Sequence, residues 1–241
     1  GPAPASEAEV QTMLAWSAGA QGTGPAPRRF VLRTHAQRRI IASTAAEVAV
    51  SGGWYTGKSL PGCLLALHYA SVNPGARVAL LREERASMRD STEKTLRDEV
   101  MPEAMLSWHT SNGGWGWKAS DDTFYLPRRG GRQSIIVLAG LDRPERFQGP
   151  NFSLVIGDQV EQWSYGQFQT ALSRSGRQSD MPDGRLVLLF NPAGGDHWAN
   201  QRYGFDLGLK RLRLGRFMEA ETGDGGPAAR FGEIVPFADI D

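Results

Sequence analysis

Cysteine and long apolar runs are nearly absent from this 241-residue sequence. The single cysteine, Cys63, cannot form a disulfide within the chain, and the histidines have no metal-ligand spacing that would complete a structural zinc site. No apolar run approaches the roughly 20 residues that a membrane-spanning helix needs. These absences predict a protein that works inside a cell, without zinc and without a membrane partner.

An excess of charge of one sign is also missing. The chain has 27 Lys and Arg residues against 26 Asp and Glu residues, and its formal net charge is +1. A balanced chain has no overall attraction to nucleic acid, so any contact with DNA must come from a local patch. Two basic clusters are candidates, although such clusters are more often only a solvated face: Arg128, Arg129 and Arg132 in a glycine-rich loop, and Lys210, Arg211, Arg213 and Arg216.

The order of the segments that are present predicts an α/β fold. Short apolar runs predict strands at Glu47–Ser51, Arg77–Leu81, Ser134–Ala139, Phe152–Gly157 and Arg185–Phe190. Helical spacings lie between them at Ser59–Val72, Glu83–Val100 and Tyr165–Gly176, and Trp108–Leu126 predicts an antiparallel excursion. Unbroken apolar strands separated by helices are typical of a mainly parallel sheet that helices cover on both faces.

The two ends of the chain lack this alternation. We expect residues 1–27 to be a tag remnant and a flexible extension, because Gly1-Pro2 is typical of protease cleavage and residues 21–27 are rich in Gly, Pro and Ala. Residues 28–208 are then the α/β domain. After Gly208 the pattern is short and irregular, and residues 209–241 are expected to be C-terminal strands or a linker.

Residues 52–59 carry a phosphate-binding motif. They match G-x-x-x-x-G-K-[ST] and lie between a predicted strand and a predicted helix, which is the context that the motif requires. Backbone N–H groups of such a loop surround phosphates, and the helix N-terminus adds a favourable dipole. Lys58 is predicted to reach the β- and γ-phosphates of ATP, and Ser59 to ligate Mg²⁺. The predicted nucleotide-binding loop is Gly52, Gly53, Trp54, Tyr55, Thr56, Gly57, Lys58 and Ser59.

An acidic residue, Asp158, follows the predicted strand Phe152–Gly157 and is placed to support Mg²⁺. The next residue is Gln159, where an ATPase normally has its catalytic glutamate. An amide can hold a water molecule but cannot accept its proton, so hydrolysis is expected to be slow by about 10²–10⁴-fold while ATP binding survives. An engineered Glu-to-Gln substitution, which Gly1-Pro2 favours, and a natural impairment both stay open. Glu161 is an alternative base, but its position predicts that it faces elsewhere.

Several segments between about Phe30 and Phe205 resemble the ATPase domain of the large terminase subunit, the motor that packages DNA in tailed bacteriophages. The resemblance is carried by Gln37, fifteen positions before Gly52, by Val78–Arg82 with Met88–Ser91, by Leu138–Gly149, and by Leu189–Pro192 with His197-Trp198. It implies that Gln37 contacts adenine. It also implies that Asn191 belongs to a coupling motif and senses the γ-phosphate.

The resemblance further implies an arginine finger, a residue that stabilises the charge on the transferred phosphoryl group. The phosphate loop has no arginine, although many family members place one there. Arg82, Arg143 and Arg146 are the candidates, and Arg146 is favoured as a finger that acts in trans on a neighbouring subunit. The alternative for each, an ordinary surface or ion-paired arginine, stays open.

At the level of function, the resemblance implies a P-loop NTPase of RecA-like or ASCE type that uses ATP and Mg²⁺ to move double-stranded DNA into procapsids. The implied partners are the portal protein, a small terminase subunit and further copies of the chain in a ring of five. The implied location is the host cytoplasm, at the portal vertex of the procapsid and not in the mature virion.

Large terminases also carry an RNase H-like nuclease domain. The segment 209–241 resembles the connection toward such a domain, and we expect no nuclease activity from this chain. Two other functions stay open. One is a helicase-like ATPase that depends on nucleic acid, and the other is an ATP-binding assembly module that does not hydrolyse ATP.

Overall fold

A computed structural model describes residues 35–43, 45–52, 57–143, 151–181, 184–194, 196–203, 215–220 and 229–234. The predicted extension 1–27 lies outside the described residues, as do Gly53, Trp54, Tyr55, Thr56, Arg146, Lys210, Arg211 and Arg213. Within the described ranges, no helix has both the length and the apolar character needed to cross a membrane.

Nine strands form one sheet in the order β3-β4-β5-β2-β6-β7-β1-β9-β8. They are β1 (Glu47–Ser51), β2 (Arg77–Arg82), β3 (Gly116–Lys118), β4 (Thr123–Tyr125), β5 (Ile135–Gly140), β6 (Leu154–Asp158), β7 (Arg185–Phe190), β8 (Gly215–Ala220) and β9 (Ala229–Ile234). The central strands β5, β2, β6, β7 and β1 pair in parallel, and antiparallel pairs extend both edges. The predicted α/β fold with a mainly parallel sheet is confirmed.

The α-helices of the described residues are α1 (His35–Ala42), α2 (Ser59–Val72), α3 (Thr92–Thr95), α4 (Tyr165–Arg174) and α5 (Trp198–Tyr203). A π-helical turn, Leu96–Val100, continues α3. Short 3₁₀ turns lie at Ala86–Met88, Glu103–Leu106, Ser111–Gly113, Ala119–Asp121 and Val160–Gln162. The helix α4 begins with a capping box between Ser164 and Gln167, so its start is encoded locally.

The hydrophobic core has two layers, one on each face of the sheet. Successive side chains of a strand point to opposite faces. Val48 and Val50 of β1 therefore pack in one cluster with α2, while Ala49 packs in the other. Helix α2 lies very close to the sheet at Gly62, where an added Cβ would come within 2.7 Å of Leu189 Cδ1. This close contact fixes the start of α2, and with it Lys58 and Ser59, above the strand ends.

The predicted helix Glu83–Val100 is wrong over its first half. Residues 83–91 form turns and a short 3₁₀ segment, and the α-helix begins at Thr92. The physical reason is the side chain of Arg82, which is buried and donates hydrogen bonds to the Ser87 carbonyl and to Ser91 Oγ. The Ser87 carbonyl thus accepts a hydrogen bond from a guanidinium group instead of one from a helical N–H.

An ion pair between buried Glu47 and exposed Arg202 joins the beginning of β1 to helix α5. Arg202 Nε donates to Glu47 Oε2 over 3.0 Å, and Arg202 Nη2 donates to Glu47 Oε1 over 2.7 Å. The Tyr203 hydroxyl donates to Glu47 Oε2 over 2.8 Å. Burial lowers the pKa of Arg202, but the hydrogen bond and the charge of Glu47 outweigh it and raise that pKa. Burial and Glu47 both raise the pKa of Tyr203, which keeps its hydroxyl a donor.

The C-terminal strands belong to the same sheet. Strand β9 pairs antiparallel with β1, and β8 pairs antiparallel with β9. Part of the segment 209–241 is therefore strand, where the sequence pattern is irregular. The boundary that the sequence places after residue 208 stays a prediction.

Candidate nucleotide-binding site

The site lies where three neighbouring parallel strands end. Gly52 follows β1, Asp158 ends β6, and Asn191 follows β7, which lies between β1 and β6. The Gly52 N–H donates to the Phe190 carbonyl over 3.1 Å, which joins the start of the phosphate loop to the end of β7. In open α/β sheets, this carboxyl edge is where ligands bind.

Lys58 connects the phosphate loop to the end of β7. Its Nζ donates to the Gly52 carbonyl over 2.5 Å and to Asn191 Oδ1 over 3.1 Å. Burial lowers the pKa of Lys58, and the nearby carboxylates of Asp158 and Glu161 oppose this effect. The predicted phosphate-binding lysine and the predicted γ-phosphate sensor are therefore in direct contact.

Asp158 is surrounded by hydroxyl donors. Ser59 Oγ lies 3.1 Å from Asp158 Oδ1 and 3.2 Å from Oδ2, so the two predicted metal ligands are adjacent. Thr92 Oγ1 donates to Asp158 Oδ2 over 2.5 Å, and its side chain is buried. Sequence reasoning missed Thr92, because it lies 66 positions before Asp158 and no local signal connects the two residues.

Gln159 has left-handed backbone torsions, with φ 54° and ψ 47°. Among the described residues other than glycine, only Asp122 shares a positive φ. Such a conformation costs about 1–3 kcal/mol and is concentrated at functional sites. It turns the chain sharply out of β6 and into the 3₁₀ turn Val160–Gln162.

The expectation that Glu161 faces away from the site is wrong. Glu161 Oε2 accepts the backbone N–H of Asn191 over 3.0 Å, and Oε1 accepts Asn191 Nδ2 over 2.7 Å. The left-handed turn at Gln159 changes the direction of the following residues, so the alternation of a strand no longer applies to them. Both carboxylate oxygens are occupied by one partner.

Gln37 lies on α1 and is buried against the phosphate loop. Its Nε2 donates to the Gly57 carbonyl over 3.0 Å. Gly57 has φ +68°, and an added Cβ would lie 2.6 Å from Gln37 Nε2, so both backbone torsion and space require glycine here. The described contact is with the loop itself, and the adenine contact of Gln37 stays a prediction.

Of the candidate finger residues, Arg82 is excluded for a role in trans. It is only 3% exposed and is bonded within its own chain, whereas such a finger must reach a neighbouring subunit. Burial lowers the pKa of Arg82, although Asp158 and Glu161 oppose the shift. Arg143 is exposed, with Nε 4.0 Å from Asp142 Oδ2. Arg146 lies outside the described residues and stays the predicted finger.

The arginines of the glycine-rich loop lie far from the phosphate loop. The glycine-rich loop precedes β5, at the amino edge of the parallel strands, whereas the phosphate loop follows β1, at their carboxyl edge. Arg129 donates to the Ser71 carbonyl over 2.5 Å. Arg132 pairs with Asp180, and Arg128 donates to the Gly131 carbonyl over 3.2 Å. All three thus bond within the chain, and their contact with DNA stays a prediction.

The parallel sheet and the strand-end site define the P-loop NTPase fold. Among solved structures, the chain is similar to the large terminase from a thermophilic bacteriophage, with a TM-score of 0.56 and 14% identity over 73% of this chain and 43% of that chain. It is also similar to the large terminase ATPase domain of Thermus phage P74-26, with a TM-score of 0.52 and 17% identity over 70% of this chain and 68% of that domain. The resemblance to large-terminase ATPase domains is thus confirmed at the level of the fold.

Two similar structures of the first of these terminases contain nucleotides. The complex with ADP has a TM-score of 0.52 at 15% identity, and the complex with ATP-gamma-S has a TM-score of 0.52 at 14% identity. The chain spans less than half the length of that terminase. Comparison with protein-family models and with curated proteins gave no match.

Proposed function

We propose that this chain is the ATPase domain of a viral DNA-packaging motor, which couples ATP hydrolysis to the movement of double-stranded DNA into procapsids. The observation that carries the proposal is the contact between Lys58 Nζ and Asn191 Oδ1. It brings the phosphate-loop lysine to the residue that the terminase resemblance assigns to coupling. The shared fold of large-terminase ATPase domains supports the same function.

The residues at the strand ends fit Mg²⁺. Ser59 and Asp158 offer a hydroxyl and a carboxylate side by side, and Mg²⁺ prefers such oxygen ligands together with substrate phosphates. The described residues contain no cluster of three or more His, Cys, Asp or Glu side chains that could hold a metal alone. When bound with ATP, the ion would neutralise charge on the β- and γ-phosphate oxygens. Lys58 would hold the same phosphates.

Gln159 occupies the position of the catalytic base, so we propose that this chain is a hydrolysis-deficient Glu-to-Gln variant. Its left-handed backbone presents the side chain at the end of β6, beside Asp158. The amide can orient water, and the missing step is acceptance of the proton by a carboxylate. Nuclease activity is not part of the proposal for this chain.

The wider assembly follows the terminase resemblance. We propose that the chain acts in a ring of five subunits on the portal protein, with a small terminase subunit, at the portal vertex in the host cytoplasm. Arg146 would act in trans between neighbouring subunits. The basic clusters named above would contact DNA phosphates, since a packaging motor must grip DNA of any sequence.

A packaging assay with the full-length motor tests the proposed function. Lys58→Ala removes the cation that holds the phosphates, and packaging is expected to fall to background. The matched control is Lys94→Ala, because Lys94 is exposed and its removal is expected to leave packaging unchanged. Normal packaging by the Lys58→Ala motor would overturn the proposal.

Thr92→Val is expected to weaken Mg²⁺-dependent binding of ATP-gamma-S about tenfold. The variant keeps the shape of the side chain but removes a hydrogen bond to a charged group, which is worth about 1.5–3 kcal/mol. Titrations of ATP-gamma-S in the presence of Mg²⁺ and in the presence of EDTA measure its affinity with and without the metal. Only the affinity with Mg²⁺ should change. Thr92→Ser keeps the hydroxyl and is expected to bind as the parent chain does. Equal losses with and without Mg²⁺ would contradict this role.

A further inference from the structure

The side-chain amide of Asn191 lies between a cation and an anion. Its Oδ1 accepts from Lys58 over 3.1 Å, and its Nδ2 donates to Glu161 Oε1 over 2.7 Å. The opposite orientation of the amide would place its two N–H donors against the donors of Lys58 and its oxygen against a carboxylate. The charges on both sides therefore leave one favourable orientation for this side chain, which is only 8% exposed.

Glu161 holds Asn191 through its backbone as well. The second carboxylate oxygen accepts the Asn191 N–H over 3.0 Å, so one side chain fixes both the position and the orientation of the residue that follows β7. Hydrogen bonds to a charged group are stronger than neutral ones. Glu161 and Asn191 are 30 positions apart, and their contact joins the chain after β6 to the chain after β7.

The turn that carries Glu161 is itself firmly packed. Val160 is fully buried, and the Trp163 N–H donates to the Val160 carbonyl over 3.0 Å. The Trp163 carbonyl accepts from Trp198 Nε1 over 2.7 Å, which ties the turn to α5. The carboxylate of Glu161 is therefore presented by a rigid element, as positioning of another side chain requires.

We propose that Glu161 is a positioning residue that gives the site its preference for a nucleoside triphosphate over a diphosphate. It holds Asn191 so that Oδ1 faces Lys58, and this contact places the ammonium group of Lys58 where it can bind the γ-phosphate. The inference rests on the proposed ATP site. It assigns to Glu161 no proton transfer, because both of its oxygens are engaged by Asn191.

The direction of the change in ATP-gamma-S affinity distinguishes this positioning role from a purely electrostatic one. A carboxylate close to bound phosphates repels them, so removal of its charge alone would strengthen the binding of ATP-gamma-S. Glu161→Gln also breaks the pair of hydrogen bonds from Asn191, because the NH₂ group of glutamine faces one of the two N–H donors of Asn191. Positioning therefore predicts weaker binding from the same substitution.

The experiment is a double-substitution cycle with ATP-gamma-S and ADP as ligands, measured by calorimetry. Glu161→Gln is expected to lower the affinity for ATP-gamma-S about tenfold and to change the affinity for ADP less than about twofold. In an Asn191→Ala background, where the amide to be positioned is gone, Glu161→Gln is expected to cause no further loss of affinity and to leave only the slight gain from removal of its charge. Glu103→Gln, at an exposed carboxylate, is the control for charge and should leave both affinities unchanged.

Tighter binding of ATP-gamma-S by the Glu161→Gln chain, or additive losses in the cycle, would overturn the inference. Thermal unfolding is followed for each variant, and Glu161→Asp repeats the test with a carboxylate too short to reach both donors. Failure of the proposed function has a different signature. In that case Lys58→Ala would bind ATP-gamma-S as the parent chain does.

Discussion

Replacing Gln159 with glutamate is expected to raise the rate of ATP hydrolysis by about 10²–10⁴-fold, which is the usual contribution of a general base. The side chain follows Asp158 at the end of β6, and its left-handed backbone is already formed. The substitution adds a proton acceptor without a change of side-chain length. The measurement is steady-state release of phosphate by the assembled motor, since a finger in trans requires neighbouring subunits.

Gln162→Glu is the matched control for this gain. Gln162 lies on the 3₁₀ turn that follows Gln159 but is exposed, so the same chemical change there should leave the rate at its original level. Binding of ATP-gamma-S should be similar in the parent chain and in both variants. A Gln159→Glu motor that assembles and binds nucleotide, yet hydrolyses ATP only at the background rate, would show that the chain is not a hydrolysis-deficient Glu-to-Gln variant.

Glu47→Ala is expected to destabilise the fold by about 1–3 kcal/mol, mainly because the buried hydroxyl of Tyr203 loses its bond to Glu47, while the exposed guanidinium of Arg202 stays solvated. The substitution leaves the guanidinium of Arg202 and the hydroxyl of Tyr203 without their shared acceptor. Chemical denaturation measures the free energy of unfolding. Because these groups lie at the beginning of β1, far from Lys58, nucleotide binding by the remaining folded protein should be unchanged.

Two variants define how this loss arises. Tyr203→Phe removes the hydrogen bond from the Tyr203 hydroxyl to Glu47 and should cost about 1 kcal/mol. Glu103→Ala removes an exposed carboxylate and should stay within about 0.5 kcal/mol of the parent chain. A Glu47→Ala protein as stable as Glu103→Ala would contradict the proposed contribution of the ion pair.

The sheet and the phosphate loop could be predicted because their signals are local. Strands such as Arg185–Phe190 are unbroken apolar runs, and Lys58 and Ser59 belong to a contiguous motif. The strand ends then bring Lys58, Asp158 and Asn191 to one edge of the sheet, since the carboxyl ends of adjacent parallel strands share that edge.

Other features could not be predicted because they depend on contacts between distant residues. The start of a helix at Thr92 follows from the burial of Arg82, whose bonds to Ser87 and Ser91 replace a first helical turn. The direction of Glu161 follows from one left-handed residue, Gln159, and glutamine gives no sign of such a conformation. The bond from Thr92 to Asp158 depends on the packing of α3 against α2.

The contact between Lys58 and Asn191 spans 133 positions of the chain, and this has a consequence for biosynthesis. At about 5–20 residues per second, a ribosome needs roughly 7–27 s to pass from the lysine to the asparagine. During that interval the lysine lacks its contact with Asn191, and β7, the strand that separates β1 from β6, is completed only at the end of it. A nascent chain therefore completes this contact between Lys58 and Asn191 only after most of the sheet has been synthesised.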